Sequence, residues 1–515
     1  MVSMCEKKRL DKGRYKLLII GASAIAVILR LPVLFNPHLS MEGIFAIGLK
    51  DFTFAETVES SLSCGHAPLY FLMISLWARI SDSQLWIMVL PVGLNIVATL
   101  IIASIARKVA GDIAGVLGGI ISAVAPVMIQ HSASPRYEGL ALLFGVLSAW
   151  YAYNIINHSN SKAILPYVLF TLLGVYSFYY HFFMIIAQNF YFIFRRRAVL
   201  YWIPSQFLVL LAVLPWVPNM AKQKTEWLDA GSSTPWETIV SIITNHYYLN
   251  IADVLVTHMT GIWTNIHGDN IFDKFSLTAS ILAPLLIAIA VFLKRYIAVK
   301  EWNFVLYATI LQIVACSSAL FVNQFQGLSF VPKYAVALSG IWLIMLAVGV
   351  SALKKSAAIT ALTMIFVCFI INAGAYYSQI MQPHGFKKAL DIVAQNEMVG
   401  DIIVVSPAYY MTVTWYYHKA DAKVYGCPED YSREYCGNSF GFSEEAYRER
   451  VRGLSNNDRI WVITPKQISH PEQGVDAMLD EFENLGFTAT KQFDFMGDLF
   501  PRTYGTTILF EKKSN

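Results

Sequence analysis

The sequence predicts a polytopic α-helical membrane protein, with about 11 spans plus interfacial helices, that ends in an extracytoplasmic α/β domain. Three observations carry this. Of 515 residues, 56% are hydrophobic and 14% charged, with a mean hydropathy of +0.49, which excludes a purely soluble globular protein. Apolar stretches of roughly 20 residues, enough to cross a ~30 Å hydrocarbon core, recur from Leu17 to Tyr377. The composition then changes. Residues 378–515 carry 14 Lys+Arg and 19 Asp+Glu, net −5, whereas residues 1–377 carry 25 and 16, net +9. A membrane domain over 1–377 and a soluble domain over 378–515 follow.

The first element is a basic N-terminus, MVSMCEKKRLDKGRYK, ahead of an apolar run from Leu17 to Phe35. The positive-inside rule holds that terminus in the cytoplasm, and without a convincing small-residue cleavage site the run reads as a retained span. Arg30, near its outer end, either snorkels or faces the protein interior. Ala67 to Ile80 would reach only about 21 Å as a helix, so it reads as re-entrant or interfacial. The remaining spans are expected at about 85–105, 112–131, 137–156, 163–180, 181–195, 199–217, 275–293, 301–321, 333–352 and 357–377. The pair around residue 180 is the least secure, because its second member is short and almost no loop separates the two. With Ala67–Ile80 not crossing, the basic clusters Arg107-Lys108, Arg195-Arg196-Arg197, Lys294-Arg295 with Lys300, and Lys354-Lys355 all fall on the cytoplasmic side. The outer loops 36–84 and 218–274 and residues 378–515 are then extracytoplasmic, in a multi-pass protein of the plasma membrane.

In the soluble domain, Phe386–Asn396 reads as a helix, and residues 401–407, 459–465 and 506–512 repeat a buried-strand pattern. Cys427 and Cys436 form either a disulfide or two free thiols, since an oxidising face permits a bridge without requiring one. Cys316 and Cys368 read as packing residues within spans. There is no P-loop, HExxH or paired CxxC, and no internal repeat of the kind that builds transporters. The arginines at 195–197 are a topology signal, so nucleic acid is not an expected partner.

The first outer loop places Glu42 seven residues past Phe35, a carboxylate at the membrane surface. Four further patterns accompany it: His66-Ala67-Pro68-Leu69-Tyr70, Ser132-Ala133-Ser134-Pro135-Arg136-Tyr137, Tyr179-Tyr180-His181-Phe182 with Gln188, and Pro332-Lys333-Tyr334. Together with the layout, these make the chain resemble the GT-C class of polyprenyl-phosphate-sugar-dependent glycosyltransferases, notably relatives of the dolichyl-phosphate-mannose protein mannosyltransferases and the aminoarabinose lipid A transferases. The resemblance implies a GT-C-like fold and a transferase in which Glu42 takes the place of the catalytic carboxylate. It also implies that Arg136 and Lys333 hold the donor phosphate, with His66, Tyr70, Tyr137, Tyr180, His181 and Tyr334 lining the substrates. The chain departs from the family pattern at Gly43, where a second acid is usual, at Ser134 in place of Glu, and at Lys333 in place of Arg.

Elementary chemistry asks for the same groups. Moving a sugar from a lipid phosphate to a hydroxyl needs a base for the acceptor proton and cations for the charge that develops on the phosphate. One carboxylate acting as base and a phosphate leaving group correspond to inversion by single displacement. The partners expected are a polyprenyl-phosphate-linked sugar, an acceptor that is a lipid, a glycan or a protein, and membrane lipids. Each residue has a plainer reading: Glu42 solvated, Arg136 and Lys333 anchoring spans at the headgroups, the histidines hydrogen-bonding at the interface, and Asp51 and Glu56 on the surface. His38, Glu42 and His66 lack the spacing of a metal-ligand set, so no metal site is assigned, while a divalent metal stays open as cofactor. The aromatic loop 226–267 could stack on sugars or form an interfacial belt. Two other functions compete: a flippase or transporter for a lipid-linked saccharide, which needs a polar path that the spans scarcely offer, and a non-catalytic glycan assembly protein.

Overall fold

The structure, a computed structural model, describes residues 10–35, 39, 41–63, 65–195, 198–219, 299–325, 336–380, 385–406, 408–418, 422–430, 443–467, 474–496 and 503–512. Along the chain the helices are α1 (Lys12–Phe35), α2 (Met41–Gly48), α3 (Phe54–Ser63), α4 (Pro68–Ala78), α5 (Gln84–Ala110), α6 (Asp112–Val124), α7 (Pro126–Gln130), α8 (Glu138–His158), α9 (Ile164–Ser177), α10 (His181–Ile193), α11 (Val199–Val213), α12 (Val299–Phe325), α13 (Val336–Ser351), α14 (Lys355–Ile380), α15 (Gly385–Asn396), α16 (Met411–Tyr417), α17 (Glu444–Leu454) and α18 (Val475–Asn484). The strands are β1 (Ile402–Val405), β2 (Lys423–Gly426), β3 (Arg459–Gln467), β4 (Phe487–Met496) and β5 (Thr503–Lys512). The chain forms two compact units that do not follow chain order. One holds Met1–Phe35, His66–Tyr70 and Ser83–Tyr376, and the other holds Asn36–Gly65, Phe71–Asp82 and Tyr377–Asn515.

Six helices of the first unit are long and apolar enough to cross a membrane: α1, α5, α8, α11 with its extension to Asn219, α12 and α14. At four other expected spans stand α6, α9, α10 and α13, apolar helices of 10–17 residues. The expected span at 112–131 is divided into α6 and α7 at Pro126, whose ring lacks a donor and holds Ala125 extended. The insecure pair resolves into separate helices, α9 ending where Phe178 turns to φ −161°. The expected span at 275–293 and the loop at 220–274 lie outside the described residues.

Lipid-facing helices gain little from burying apolar surface against each other, so their contacts rest on close packing and polar ties. In α1 a stripe of Ala22, Ala26, Arg30 and Val33 is buried, while Leu17, Ile20 and Ile28 are exposed as lipid would require. Arg30 is fully buried: Nε and Nη2 donate to Asn95 Oδ1 of α5 at 2.9 and 2.6 Å, and Nη1 donates to the Ala26 and Ala123 carbonyls. Of the two expectations for Arg30, it faces the interior. A second tie joins α8 to α11, in which Gln206 Nε2 donates to the Tyr167 hydroxyl (2.9 Å), that hydroxyl to Gln188 Oε1 (2.9 Å), and Gln188 Nε2 to Ser148 Oγ (3.2 Å). Helices α8 and α13 approach through Gly145, where a Cβ would lie 2.2 Å from the Ala337 carbonyl oxygen.

In the second unit the sheet order is β2-β1-β3-β5-β4. β1 pairs in parallel with β2 and β3, whereas β5 pairs antiparallel with β3 and β4. The three strands expected from sequence are β1, β3 and β5. Every residue of β1 is buried, as a central parallel strand covered on both faces requires. Tyr447, Val451, Met478 and Phe482 from α17 and α18 pack on Val404, Ile460, Val462 and Phe510. Asp401, ahead of β1, accepts from Arg459 Nε and Trp461 Nε1, both at 2.9 Å. Cys427 is buried, and Cys436 lies outside the described residues. Exposed Glu56 closes a capping box on α3, accepting from Thr53 backbone and hydroxyl at 2.7 Å, which holds its carboxyl below the ordinary range.

Candidate functional site

The tight turn after α7 is fixed by its own bonds. Ser132 Oγ donates to the Ile129 carbonyl at 2.6 Å, and Arg136 N to the Ser134 carbonyl at 2.9 Å. This delivers Arg136 and Tyr137 to the start of α8. Arg136 Nε lies 3.1 Å from Glu138 Oε1, and the guanidinium sits 5.6 Å from the Tyr137 ring centroid. Glu138 is buried in the first turn of α8, where the helix dipole favours a carboxylate.

Aromatic side chains from two other segments converge on Tyr137. The His66 ring lies 5.4 Å away, Phe178 stacks on Tyr137 at 4.9 Å, and Tyr180 stacks on Phe178 at 5.2 Å. Tyr179 donates to the His66 carbonyl at 3.4 Å and receives a bond from Trp216 Nε1 at 3.2 Å. The structure thus brings together His66, Arg136, Tyr137 and Tyr180 from segments that the sequence separates by up to 114 positions. A guanidinium beside phenols, an imidazole and flat aromatic faces can take an anion together with a sugar ring.

Tyr70 and His181 are buried. The His181 imidazole lies against Gly174, where any Cβ would come within 2.4 Å of Cε1. Tyr180 also lines, with Met184, Cys316 and Ala337, a narrow apolar cleft between α10, α12 and α13. Glu42 falls in the first turn of α2, in the second unit; its side chain, like Lys333 and Tyr334, lies outside the described residues, as does the aromatic loop 226–267. Among the described residues, no three His, Cys, Asp or Glu side chains gather as a metal site.

Sequence reasoning missed Glu138, Phe178 and Trp216 as site residues. Glu138 had a readable signal, a carboxylate two positions after Arg136 at the opening of a span. Phe178 and Trp216 had none, because an aromatic at a span end is ordinarily an interfacial anchor.

An apolar helical bundle with a C-terminal mixed sheet is a layout similar to the GT-C fold. Comparison with known proteins agrees. Residues 65–221, the segment that contains the whole cluster, match the family model described as dolichyl-phosphate-mannose-protein mannosyltransferase. The fold is similar to that of ArnT from Cupriavidus metallidurans, solved bound to undecaprenyl phosphate, with a TM-score of 0.55 at 11% identity over 96% of this chain and 98% of that one. In its apo state the same protein gives 0.54 at 10% identity, over 95% and 98%. The oligosaccharyltransferase AglB from Archaeoglobus fulgidus, in complex with an inhibitory peptide and a dolichol-phosphate, gives 0.46 at 14% identity over 88% of this chain and 69% of that one. No curated protein sequence matches the chain. The chain is therefore similar to the GT-C-type, polyprenyl-phosphate-sugar-using membrane glycosyltransferases, by family model in residues 65–221 and by fold over nearly its full length.

Proposed function

We propose that the protein transfers a sugar from a polyprenyl-phosphate donor to a hydroxyl acceptor at the extracytoplasmic face. The acceptor oxygen attacks the anomeric carbon, the bond from that carbon to the phosphate oxygen breaks with inversion, and the acceptor proton passes to Glu42. Polyprenyl phosphate leaves with its charge held by Arg136 and Lys333. The membrane domain, residues 1–377, carries the donor side, the N-terminus is cytoplasmic and residues 378–515 are extracytoplasmic. The observation that carries the reading is the cluster of Arg136, Tyr137, His66 and Tyr180 at the start of α8, inside the segment with the family match.

The test is release of free polyprenyl phosphate by the purified protein, supplied with a panel of polyprenyl-phosphate sugars and crude membrane acceptor. The parent is expected to release it, Glu42→Gln to lose at least a hundredfold in rate, and Arg136→Gln to lose at least tenfold. Equal release by the parent and Glu42→Gln removes Glu42 as the base. Silence of the parent across a broad panel removes the transferase.

A further inference from the structure

Helix α2 spans Met41–Gly48, only eight residues, and isolated helices shorter than about 12–15 residues are marginal in water. Gly43 weakens it further. It must therefore be held by what it packs against. Residues Gly43 to Ile47 are all buried. Two partners are evident within the second unit: α16, with which α2 is in contact, and α4, through an edge-to-face pair of Phe45 and Phe71 at 6.0 Å. α16 belongs to the C-terminal α/β domain, where it forms the crossover from β1 to β2.

The end of α2 is tied to the same domain by a chain of polar contacts. Tyr416 of α16 donates its hydroxyl to the Asp82 carbonyl at 3.0 Å, and the Asp82 carboxylate meets Lys50 Nζ, two residues past α2, at 2.7 Å. Arg79 closes the turn by donating to the Lys50 and Phe52 carbonyls at 2.9 and 2.6 Å. Burial, with the nearby Asp82 carboxylate as a second cause, pushes the Tyr416 hydroxyl up to about 12, so it remains a donor at any working pH.

From this we infer that the C-terminal domain, through α16 and the Tyr416–Asp82–Lys50 link, fixes the position of α2 and so of Glu42, and that Tyr416 is a positioning residue for the transfer. The inference rests on the proposed role of Glu42. Two substitutions at opposite ends of the link test it in the full-length protein, Tyr416→Phe and Lys50→Met, singly and together. Hydrogen exchange of the 41–51 peptide and the kcat and KM for polyprenyl phosphate release are the readouts, with the melting temperature as control.

Each single substitution is expected to speed exchange in 41–51 about fivefold, the factor one hydrogen bond carries. Each should also lower kcat severalfold while leaving the donor KM and the melting temperature within error. The double variant should lose little more than either single one, because both break one chain of contacts. Unchanged exchange in 41–51, or faster exchange with kcat intact, overturns the inference; so does full additivity. A parent that releases nothing, in a protein whose 41–51 exchange still responds to Tyr416→Phe, sinks the role of Glu42 and leaves the link standing.

Discussion

Gly145→Ala probes the close packing of α8 on α13. α8 follows directly on Arg136 and Tyr137, so this contact bears on the position of the proposed phosphate ligand Arg136. A Cβ at 145 would lie 2.2 Å from the Ala337 carbonyl oxygen and 2.9 Å from its carbonyl carbon and Cα. Carbon and carbonyl oxygen meet at about 3.3 Å in close helix contacts, so the helices must part by roughly 1 Å. The obstacle is backbone, which has no rotamer to escape into. Overpacking of this kind costs about 1–3 kcal/mol, while alanine is the better helix former by about 0.8–1.0 kcal/mol. The net expectation is a loss of up to about 2 kcal/mol, read as a lower melting temperature in detergent. A 1 Å displacement can also reduce turnover about a hundredfold, so polyprenyl phosphate release should fall at least tenfold. The sign is the discriminator. If the helices were loosely apposed, the helix-propensity gain would stand alone and the variant would melt higher with its rate intact, which would refute the packing argument.

Three further outcomes are expected. Asn95→Leu takes two bonds from the buried Arg30 guanidinium and should lower stability by about 3 kcal/mol, whereas adding Arg30→Met should recover most of the loss in the same melting assay. Glu138→Gln removes the carboxylate 3.1 Å from Arg136 and frees the guanidinium for phosphate, so the donor KM should fall while Arg136→Gln raises it; steady-state kinetics that move both in one direction would count against Arg136 as a phosphate ligand. Asp401→Asn weakens the contacts of Asp401 with Arg459 and Trp461 and should destabilise the C-terminal sheet by about 3 kcal/mol, visible as an earlier tryptophan fluorescence transition upon adding denaturant.

Much of the architecture was legible because bilayer crossing and strand burial each impose a pattern on the sequence. The C-terminal sheet announced itself through a change in charge, and Ile402–Val405 and residues 460–464 through runs buried on both faces. β2 and α16 were not legible: Lys423–Gly426 is a four-residue strand with mixed burial, and Met411–Tyr417 is aromatic without helical period. Arg136, Tyr137, His66 and Tyr180 stand in local patterns that the sequence displays, and their convergence on one another is a property of the fold.

What the sequence withheld follows from burial. An amphipathic stripe tells a helix which face to bury, but a helix enclosed by its neighbours is apolar nearly all round and carries no stripe, as in α8 and α13, whose residues are mostly buried. Partner choice then passes to the few positions that are small or polar. Gly145, Gly174, Asn95 and Gln188 stood in the sequence as interruptions of apolar runs, each compatible with several neighbours. Only the fold pairs Gly145 with Ala337, Gly174 with His181, Asn95 with Arg30, and Gln188 with Ser148 and Tyr167. The contacts of Gly174 with His181 and of Gln188 with Ser148 and Tyr167 join α8, α9 and α10 to one another. The polar interruptions of the bundle are therefore the determinants of its site geometry, even where they are too deeply buried to touch a substrate.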